Sequence, residues 1–544
     1  MRTAPVGPEK RAQILDRLAT RRFDLLVVGG GITGAGIALD AATRGLAVAL
    51  VEKGDFASGT SSKSSKLVHG GLRYLEHREL SLIHESATER DLLRRIAPHL
   101  VTPVGFFWPR WAGANWKAGA GLWAYDLLAG FRNVARHRRL AEDEAARLIP
   151  GTNRRGTGYL FYDAQTDDAR LVLTILQTAQ RAGAVVCNYL EVDGLVDVAG
   201  RVVGCEAVDA VGGERVQIRA GDVINATGVW ADEISMLEDP VRGGRLRPSK
   251  GIHIVVSRKA LPLQTACLIP TPERRLVFAT PWRSSVIVGT TDTEYDGPLD
   301  HPSVTPDEAA LMLATLSRNF DRSFGPEDLV GAYAGLRPLL ADARYEETRD
   351  LSRHHAVFRG PRGLLTMTGG KLTTYRGMAE QAVDIVTRRQ GRSLPCLTRS
   401  IRLGITDLRG VRRRLEEQAL ELDLPPEVTE SLLRSYGDSA PAVLDLARET
   451  ELAAPIADGL PYLEAELVWG VRAEMATTLS DVLWRRTRLA LEDRAGGLQA
   501  RERLASLAAV ELGVPEEQAG SMVAAYEAEL GRERGPALPL PAAR

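Results

Sequence analysis

The chain has 544 residues, enough for about three domains, and its 44% hydrophobic and 26% charged residues exclude disorder, collagen-like structure and a disulfide-stapled miniprotein. Its 69 basic and 70 acidic side chains give a net charge of −1, without the basic surplus usual for a nucleic-acid-binding protein. Only 8 of the cations are Lys against 61 Arg, so a Lys kept in this background is a weak pointer to a place that needs a compact ammonium rather than a fork; Lys53, Lys63, Lys66, Lys250 and Lys371 fall in or beside the motifs below. The N-terminus carries a charged stretch over 9–22 and no signal-peptide core. No run of about 18 apolar residues suggests a spanning helix, which predicts a chain that is soluble or lies on a membrane surface. Cys187, Cys205, Cys267 and Cys396 are too far apart for a CxxC pair, so neither a zinc site nor a disulfide framework is expected, and a reducing cytoplasmic compartment fits.

The first element is a buried-strand pattern at 23–28, FDLLVV, running into Gly29-Gly30-Gly31-Ile32-Thr33-Gly34 and an alanine-rich helix at 35–44 that stops at Gly45. A second strand at 47–51 ends at Glu52. In such a βαβ unit Gly29 makes the tight turn, Gly31 admits a pyrophosphate and Gly34 lets helix and sheet pack. The helix N-terminus offers free N–H groups and partial positive charge to the phosphates. A carboxylate at Glu52 accepts from ribose hydroxyls and repels a 2′-phosphate, which disfavours NADP. Next comes a hydroxyl- and Lys-rich loop, with Thr60, Ser61, Ser62, Ser65 and Lys66 as candidate donors to the cofactor, condensing into Leu67-Val68-His69-Gly70-Gly71-Leu72-Arg73-Tyr74-Leu75. The stretch 101–132 then gathers four of the eight Trp (Trp108, Trp111, Trp116, Trp123) with Phe106, Phe107, Phe131, Arg110, Lys117 and Arg132. Rings and cations together suit a membrane interface; burial as plain core is the alternative.

A helix is expected over 171–183, Gly-punctuated strands over 184–226, and strands at 252–256, 276–279 and 286–289. Two further glycine sites follow: Asn225-Ala226-Thr227-Gly228 closes a strand, and Thr368-Gly369-Gly370-Lys371-Leu372-Thr373-Thr374 joins a strand to a helix start. A nicotinamide domain rarely needs a distant third glycine site. A flavin does, because its ring lies far from the adenine and a second helix N-terminus can face the N1/C2=O edge. FAD is therefore the expected cofactor. From about 403 the composition turns to Leu, Ala, Glu and Arg at helical spacing, ending in a Pro/Ala-rich tail.

The strings Ser64-Ser65-Lys66-Leu67-Val68-His69-Gly70-Gly71-Leu72-Arg73-Tyr74-Leu75, Tyr162-Asp163, Asp167-Asp168-Ala169-Arg170, Asn225-Ala226-Thr227-Gly228-Val229-Trp230, Lys250-Gly251-Ile252-His253, Gly289-Thr290-Thr291-Asp292 and Gly369-Gly370-Lys371-Leu372-Thr373-Thr374-Tyr375-Arg376 occur in this order. The chain thereby resembles the aerobic, respiratory, FAD-dependent glycerol-3-phosphate dehydrogenases over roughly 20–400, and more loosely through Tyr462 to Arg488. The resemblance implies an α/β fold: a glutathione-reductase-like Rossmann domain for FAD, interleaved with a β-sheet substrate domain and capped by C-terminal helices. The expected boundaries are 20–100 with 155–230 and 350–400 for the FAD domain, 101–154 with 231–349 for the substrate domain, and 403–531 for the helical domain, with 535–544 a disordered tail.

The implied reaction oxidises sn-glycerol 3-phosphate to dihydroxyacetone phosphate, with hydride transfer from C2 to flavin N5 and electrons passed to a membrane quinone at the inner face of the cell membrane. The matching pocket positions are Arg73, Tyr74, His253, Arg337, Arg349 and Lys371. His253 is the candidate base, with a structural histidine as the bland alternative. Arg337 and Arg349 are candidate phosphate forks, each with an ordinary ion pair as its rival. Arg73 and Tyr74 are pocket partners, and Lys371 balances charge at flavin and substrate. The cofactor set is Gly29, Gly31, Gly34, Glu52, Thr60, Ser61, Ser62, Ser65, Lys66, Leu67, Gly228, Gly369, Gly370, Lys371, Leu372 and Thr373, with no metal. His69 is read as packing near the cofactor rather than as a covalent attachment point. An oxidase that passes electrons to oxygen, a related hydroxy- or amino-acid oxidoreductase, and a non-catalytic FAD-binding protein remain the alternatives. Oligomeric state is open, a homodimer among the options.

Overall fold

Strand Arg22–Val28 turns at Gly29 into helix Ile32–Thr43 and returns as strand Val48–Val51, the expected βαβ unit. Both strands are almost wholly buried, which is why they read as continuous apolar runs rather than alternating ones. The computed structural model describes residues 11–71, 80–128, 130, 134–242, 244–273, 275–341 and 355–540. The first of its two sheets has eight strands. Arg22–Val28 sits at its centre, parallel to Arg215–Asn225 on one side and Val48–Val51 on the other. Leu365–Gly369 extends it parallel to Arg215–Asn225, and Val185–Cys187 parallel to Val48–Val51. Helix Ile32–Thr43 packs between helices Asp168–Arg181 and Tyr375–Arg389. Gly36 permits that approach: a Cβ there would lie 2.6 Å from the Tyr375 ring.

The second sheet has ten strands. Its long pair, Leu246–Ser257 with Leu329–Leu340, is antiparallel, and Leu246–Ser257 continues through Ser285–Gly289, Leu276–Trp282 and Ala266–Pro270 to Thr102–Pro109 and Gly158–Gln165. Strands Leu67–Val68 and Gly158–Gln165, placed by their segments with the nucleotide-binding part, hydrogen-bond within this second sheet. The chain crosses between sheets more often than contiguous segments suggest.

The helices from Leu408–Glu421 to Ala519–Arg534 share a core with the His253-bearing face of the second sheet, through Val255, Trp282, Ile287 and Tyr333. Buried ion pairs stitch them to the rest. Arg170 meets Glu474 at 2.7 and 2.8 Å, Arg486 donates to Asp55 at 2.9 Å, and Arg488 donates to Asp167 at 2.7 Å. The expected tail is corrected over its described part. Leu538 and Ala537 are buried against the second sheet's core, so the apolar side chains of 535–540 tie the end down. No helix among the described residues is long and apolar enough to cross a membrane.

Candidate active site

Between the two sheets lies a cavity of about 1440 Å³. Its floor is the glycine turn. Gly29 has φ +113°, and a Cβ on it would lie 2.6 Å from the Ala226 carbonyl oxygen, so the strand-to-helix turn and the Ala226-Thr227-Gly228 turn close on each other only without side chains. Glu52 ends its strand facing this turn and accepts from Gly30 N–H at 2.6 Å and Gly54 N–H at 2.9 Å. Burial pushes its carboxyl above the ordinary range, and those two N–H groups pull it back. Ser61 Oγ accepts from Ile32 N–H at 2.9 Å, holding the hydroxyl-rich loop against the helix N-terminus. At the other end Gly369 and Gly370 both have positive φ, +76° and +77°. They turn strand Leu365–Gly369 into the short helix Leu372–Thr374 and then Tyr375–Arg389.

Gly29, Gly31, Glu52, Thr60, Ser61, Ser65, Leu67, Gly228, Gly369, Gly370, Lys371, Leu372 and Thr373 all line this one cavity, with His69, His253 and Arg337. Three proposed cofactor positions do not. Gly34 is buried in the helix, where a Cβ would collide with the Gly29 carbonyl. Ser62 is turned to the Gly59 carbonyl. Lys66 points its fully buried ammonium at Asp168, 2.8 and 2.9 Å from its two oxygens, and at the Ser62 carbonyl. Burial pushes Lys66 down to about 8. The side chain serves as a strut, so its expected contact with the cofactor is corrected. Arg73, Tyr74 and Arg349 lie outside the described residues.

His253 stands in strand Leu246–Ser257, flanked by Gly289 and Tyr333 on the neighbouring strands. Its ring stacks on Tyr333, centroids 4.8 Å apart, and Nε2 hydrogen-bonds Ser65 Oγ at 2.8 Å. Burial, then the cations Arg337 and Lys66, hold it well below the ordinary histidine range, which favours the uncharged ring. Arg337, on strand Leu329–Leu340, is fixed by several acceptors. One terminal nitrogen reaches Asp292 and Ser249 at 3.3 Å each, and the other reaches Thr290 Oγ1 at 3.1 Å and the Thr291 carbonyl at 3.0 Å. The guanidinium is thus pre-oriented at the cavity wall. Lys371 lines the same wall, its ammonium 3.5 Å from Ser86 Oγ.

Sequence reasoning missed the frame around these groups. Tyr333 OH donates to the Ser64 carbonyl at 2.9 Å, and Asp168 accepts from Ser64 Oγ at 2.6 Å as well as from Lys66 and Arg488. Asp163 accepts from Gly70 N–H at 3.0 Å and from Tyr125 OH at 2.9 Å, and pairs with Arg90. The motifs contain Asp163 and Asp168, whereas Tyr333 lies in a segment with no local signal, and Tyr125 and Arg488, within the stretches 101–132 and 462–488, were not singled out there. The arrangement brings a glycine turn at a helix N-terminus, the buried carboxylate of Glu52, a neutral imidazole and two cations to one cleft. Such a cleft can hold an elongated dinucleotide beside a small anion and take a proton from it.

A family model described as FAD dependent oxidoreductase matches residues 24–376, and one described as the C-terminal domain of alpha-glycerophosphate oxidase matches 396–519. The chain is 40% identical over 537 residues to the glycerol-3-phosphate dehydrogenase of Mycobacterium leprae (strain TN), covering 97% of this chain and 91% of that one. It is 34% identical to the aerobic glycerol-3-phosphate dehydrogenase of Bacillus subtilis (strain 168), covering 88% and 89%. The solved structure of the glycerol-3-phosphate dehydrogenase from Bacillus halodurans complexed with FAD matches it with a TM-score of 0.80 at 32% identity, over 97% of this chain and 98% of that one.

Proposed function

The chain belongs to the FAD-dependent glycerol-3-phosphate dehydrogenase family, and from that membership we propose that it oxidises sn-glycerol 3-phosphate to dihydroxyacetone phosphate and passes the electrons to a membrane quinone. One observation carries the reading: His253, Arg337 and Lys371, from three separate stretches of chain, open onto the cavity that the glycine turns at Gly31, Gly228 and Gly370 also line. Bound FAD supplies the hydride acceptor, N5 of its ring. The chain's own part is electrostatic and positional. Arg337, its terminal nitrogens held by Asp292, Ser249 and the Thr290-Thr291 segment, presents its positive charge to the substrate phosphate. His253, neutral and oriented by Ser65 and Tyr333, takes the proton of the C2 hydroxyl. Lys371, where the chain enters the short helix Leu372–Thr374, offsets the negative charge that develops over the cleft.

The docking surface is the helix Trp116–Leu128, which exposes Trp116, Trp123 and Leu127 beside Lys117; cationic and aromatic, it suits an anionic membrane surface. An oxidase is the second reading, favoured by the description of the matching C-terminal model. Anaerobic titration with glycerol 3-phosphate tests the function, and the bleached protein is then mixed with a quinone analogue or with air. Bleaching at one substrate per flavin and faster recovery with the quinone are expected. No bleaching overturns the substrate assignment, and faster recovery in air makes the protein an oxidase.

A further inference from the structure

The segment 52–66 forms one wall of the cofactor cavity, where Ser58, Thr60, Ser61, Ser64 and Ser65 line it. It also sets the glycine turn. Ala57 N–H donates to the Gly30 carbonyl at 3.1 Å, and Ser61 Oγ accepts from Ile32 N–H at 2.9 Å. The single turn Thr60–Ser62 is its only regular element. Ala57 and Lys66 have φ +63° and +59°, a region that residues with a side chain avoid. Such a loop keeps its shape only where its surroundings over-determine it.

The helical cap supplies those surroundings. Asp55, buried, receives Arg485 Nε at 2.5 Å and both terminal nitrogens of Arg486, one of them at 2.9 Å. Lys63 pairs with Glu533 at 2.7 Å. Ser64 and Lys66 both donate to Asp168, and Arg488 reaches the same carboxylate at 2.5 Å. Arg485, Arg486 and Arg488 come from one stretch, the π-helical turn Asp481–Arg486 and the two residues after it; π-turns occur mostly at functional sites. Asp481 fixes the stretch from the cap side, accepting from Thr477 N–H and from Arg485, each at 2.7 Å. These cap residues do not line the cavity, so any influence on the cofactor passes through the loop.

We infer that the helical cap clamps the cofactor loop: Arg486 and Arg488 are positioning residues that, through Asp55 and Asp168, hold residues 55–66 in the shape that grips FAD. Cap docking and FAD binding then strengthen each other, since linkage is reciprocal. Arg486 forks the Asp55 carboxylate and Arg488 bridges Asp167 and Asp168, geometry that an ammonium does not reproduce. With a fork lost, a buried carboxylate is short of partners and the loop shifts to satisfy it. The inference concerns the cofactor alone and stands whichever electron acceptor the enzyme uses.

The test compares the parent with Arg486→Lys, Arg488→Lys and a control, Leu504→Ala, which hollows the cap's own core. Fluorescence of flavin released on dilution of the holoenzyme gives Kd, and thermal melting of the full-length apoprotein gives the stability lost. Both Arg variants should raise the Kd for FAD at least about tenfold, the equivalent of 1.4 kcal/mol, while Leu504→Ala lowers the melting midpoint and leaves Kd as in the parent. Hydrogen exchange of the parent is a second measurement that needs no variant to fold. FAD should slow exchange over 481–488 more than over helix Pro426–Tyr436 of the same cap. Arg variants that hold FAD like the parent overturn the inference. So does a Kd that rises as far in Leu504→Ala, since the cap would then matter only through its stability. Should the Arg variants fail to fold, the exchange decides: slowing over 481–488 no greater than in Pro426–Tyr436 overturns the clamp.

Discussion

His253, the base of the proposed reaction, is a common side chain kept neutral by its surroundings. Its partners Ser65 and Tyr333 both belong to one frame, since Tyr333 OH also holds the Ser64 carbonyl. Burial is the largest influence on its titration and the positive charge of Arg337 the next. Both lower it, so the neutral form persists as pH falls through the ordinary histidine range near 6.5, and the acid limb of kcat lies below that range. Arg337→Gln removes one of the lowering charges, so the limb should move to higher pH. Losing a charge-assisted contact to phosphate costs about 1.5–3 kcal/mol, which is about 10–150-fold in KM. A pH series of kcat and KM on parent and variant checks both effects. A limb that stays in place would mean that His253 does not feel Arg337. His253 and Arg337 were legible as residues because their motifs are local strings. Tyr333 was not, because stacking across two strands about 80 positions apart in sequence leaves no local pattern.

The elements were legible where period and punctuation agree, and less so where the chain changes sheets. Strand Arg22–Val28, helix Ile32–Thr43 and strand Val48–Val51 follow the apolar runs and the glycine turn within a few residues. Strand Gly158–Gln165 was harder to place, because a short apolar strand carries no mark of the sheet it joins. Lys66 illustrates the same limit: its charge and loop suggested a cofactor contact, and only the return of Asp168 on another element shows it to be a strut. The second glycine turn supports a sharp prediction. Gly370 has φ +77°, and a Cβ would sit 2.5 Å from Met378 Sδ and 3.1 Å from His355 Cβ. In Gly370→Ala the left-handed conformation alone costs about 1–2 kcal/mol, so FAD should bind about tenfold more weakly while the apoprotein still folds. The flavin-to-protein absorbance ratio after dialysis and a flavin-binding titration measure this, and undiminished occupancy would remove Gly370 from the cofactor site.

At the scale of the whole molecule, two sheets and a helical cap are locked by ionic contacts buried where the three meet, chiefly Asp55 with Arg486 and Asp167 with Arg488. None was legible, since each joins residues hundreds of positions apart. What this body turns outward is less uniform than the aromatic stretch 101–132 suggested. Strand Thr102–Pro109 buries Phe106 and Phe107, and Trp111 packs against the second sheet's core, so these rings are structural. The surface that remains is helix Trp116–Leu128, with Trp116 75%, Trp123 56% and Leu127 63% exposed. Lys117, Arg110, Arg136 and Arg139 are exposed near it in sequence, and Asp126, the one acid over 110–139, is buried against His137. Each cation near an anionic leaflet contributes about 1 kcal/mol, and the inserted rings contribute through the apolar area that they remove from water, at about 25 cal/mol per Å². The holoenzyme should therefore sediment with vesicles containing anionic lipid, and less so at high salt, because the Debye length contracts. Trp116→Ser combined with Trp123→Ser should lower the partition coefficient by at least about tenfold, the equivalent of 1.4 kcal/mol, with anaerobic bleaching by glycerol 3-phosphate intact. Equal sedimentation of parent and double variant would show that the lipid contact lies elsewhere on the molecule.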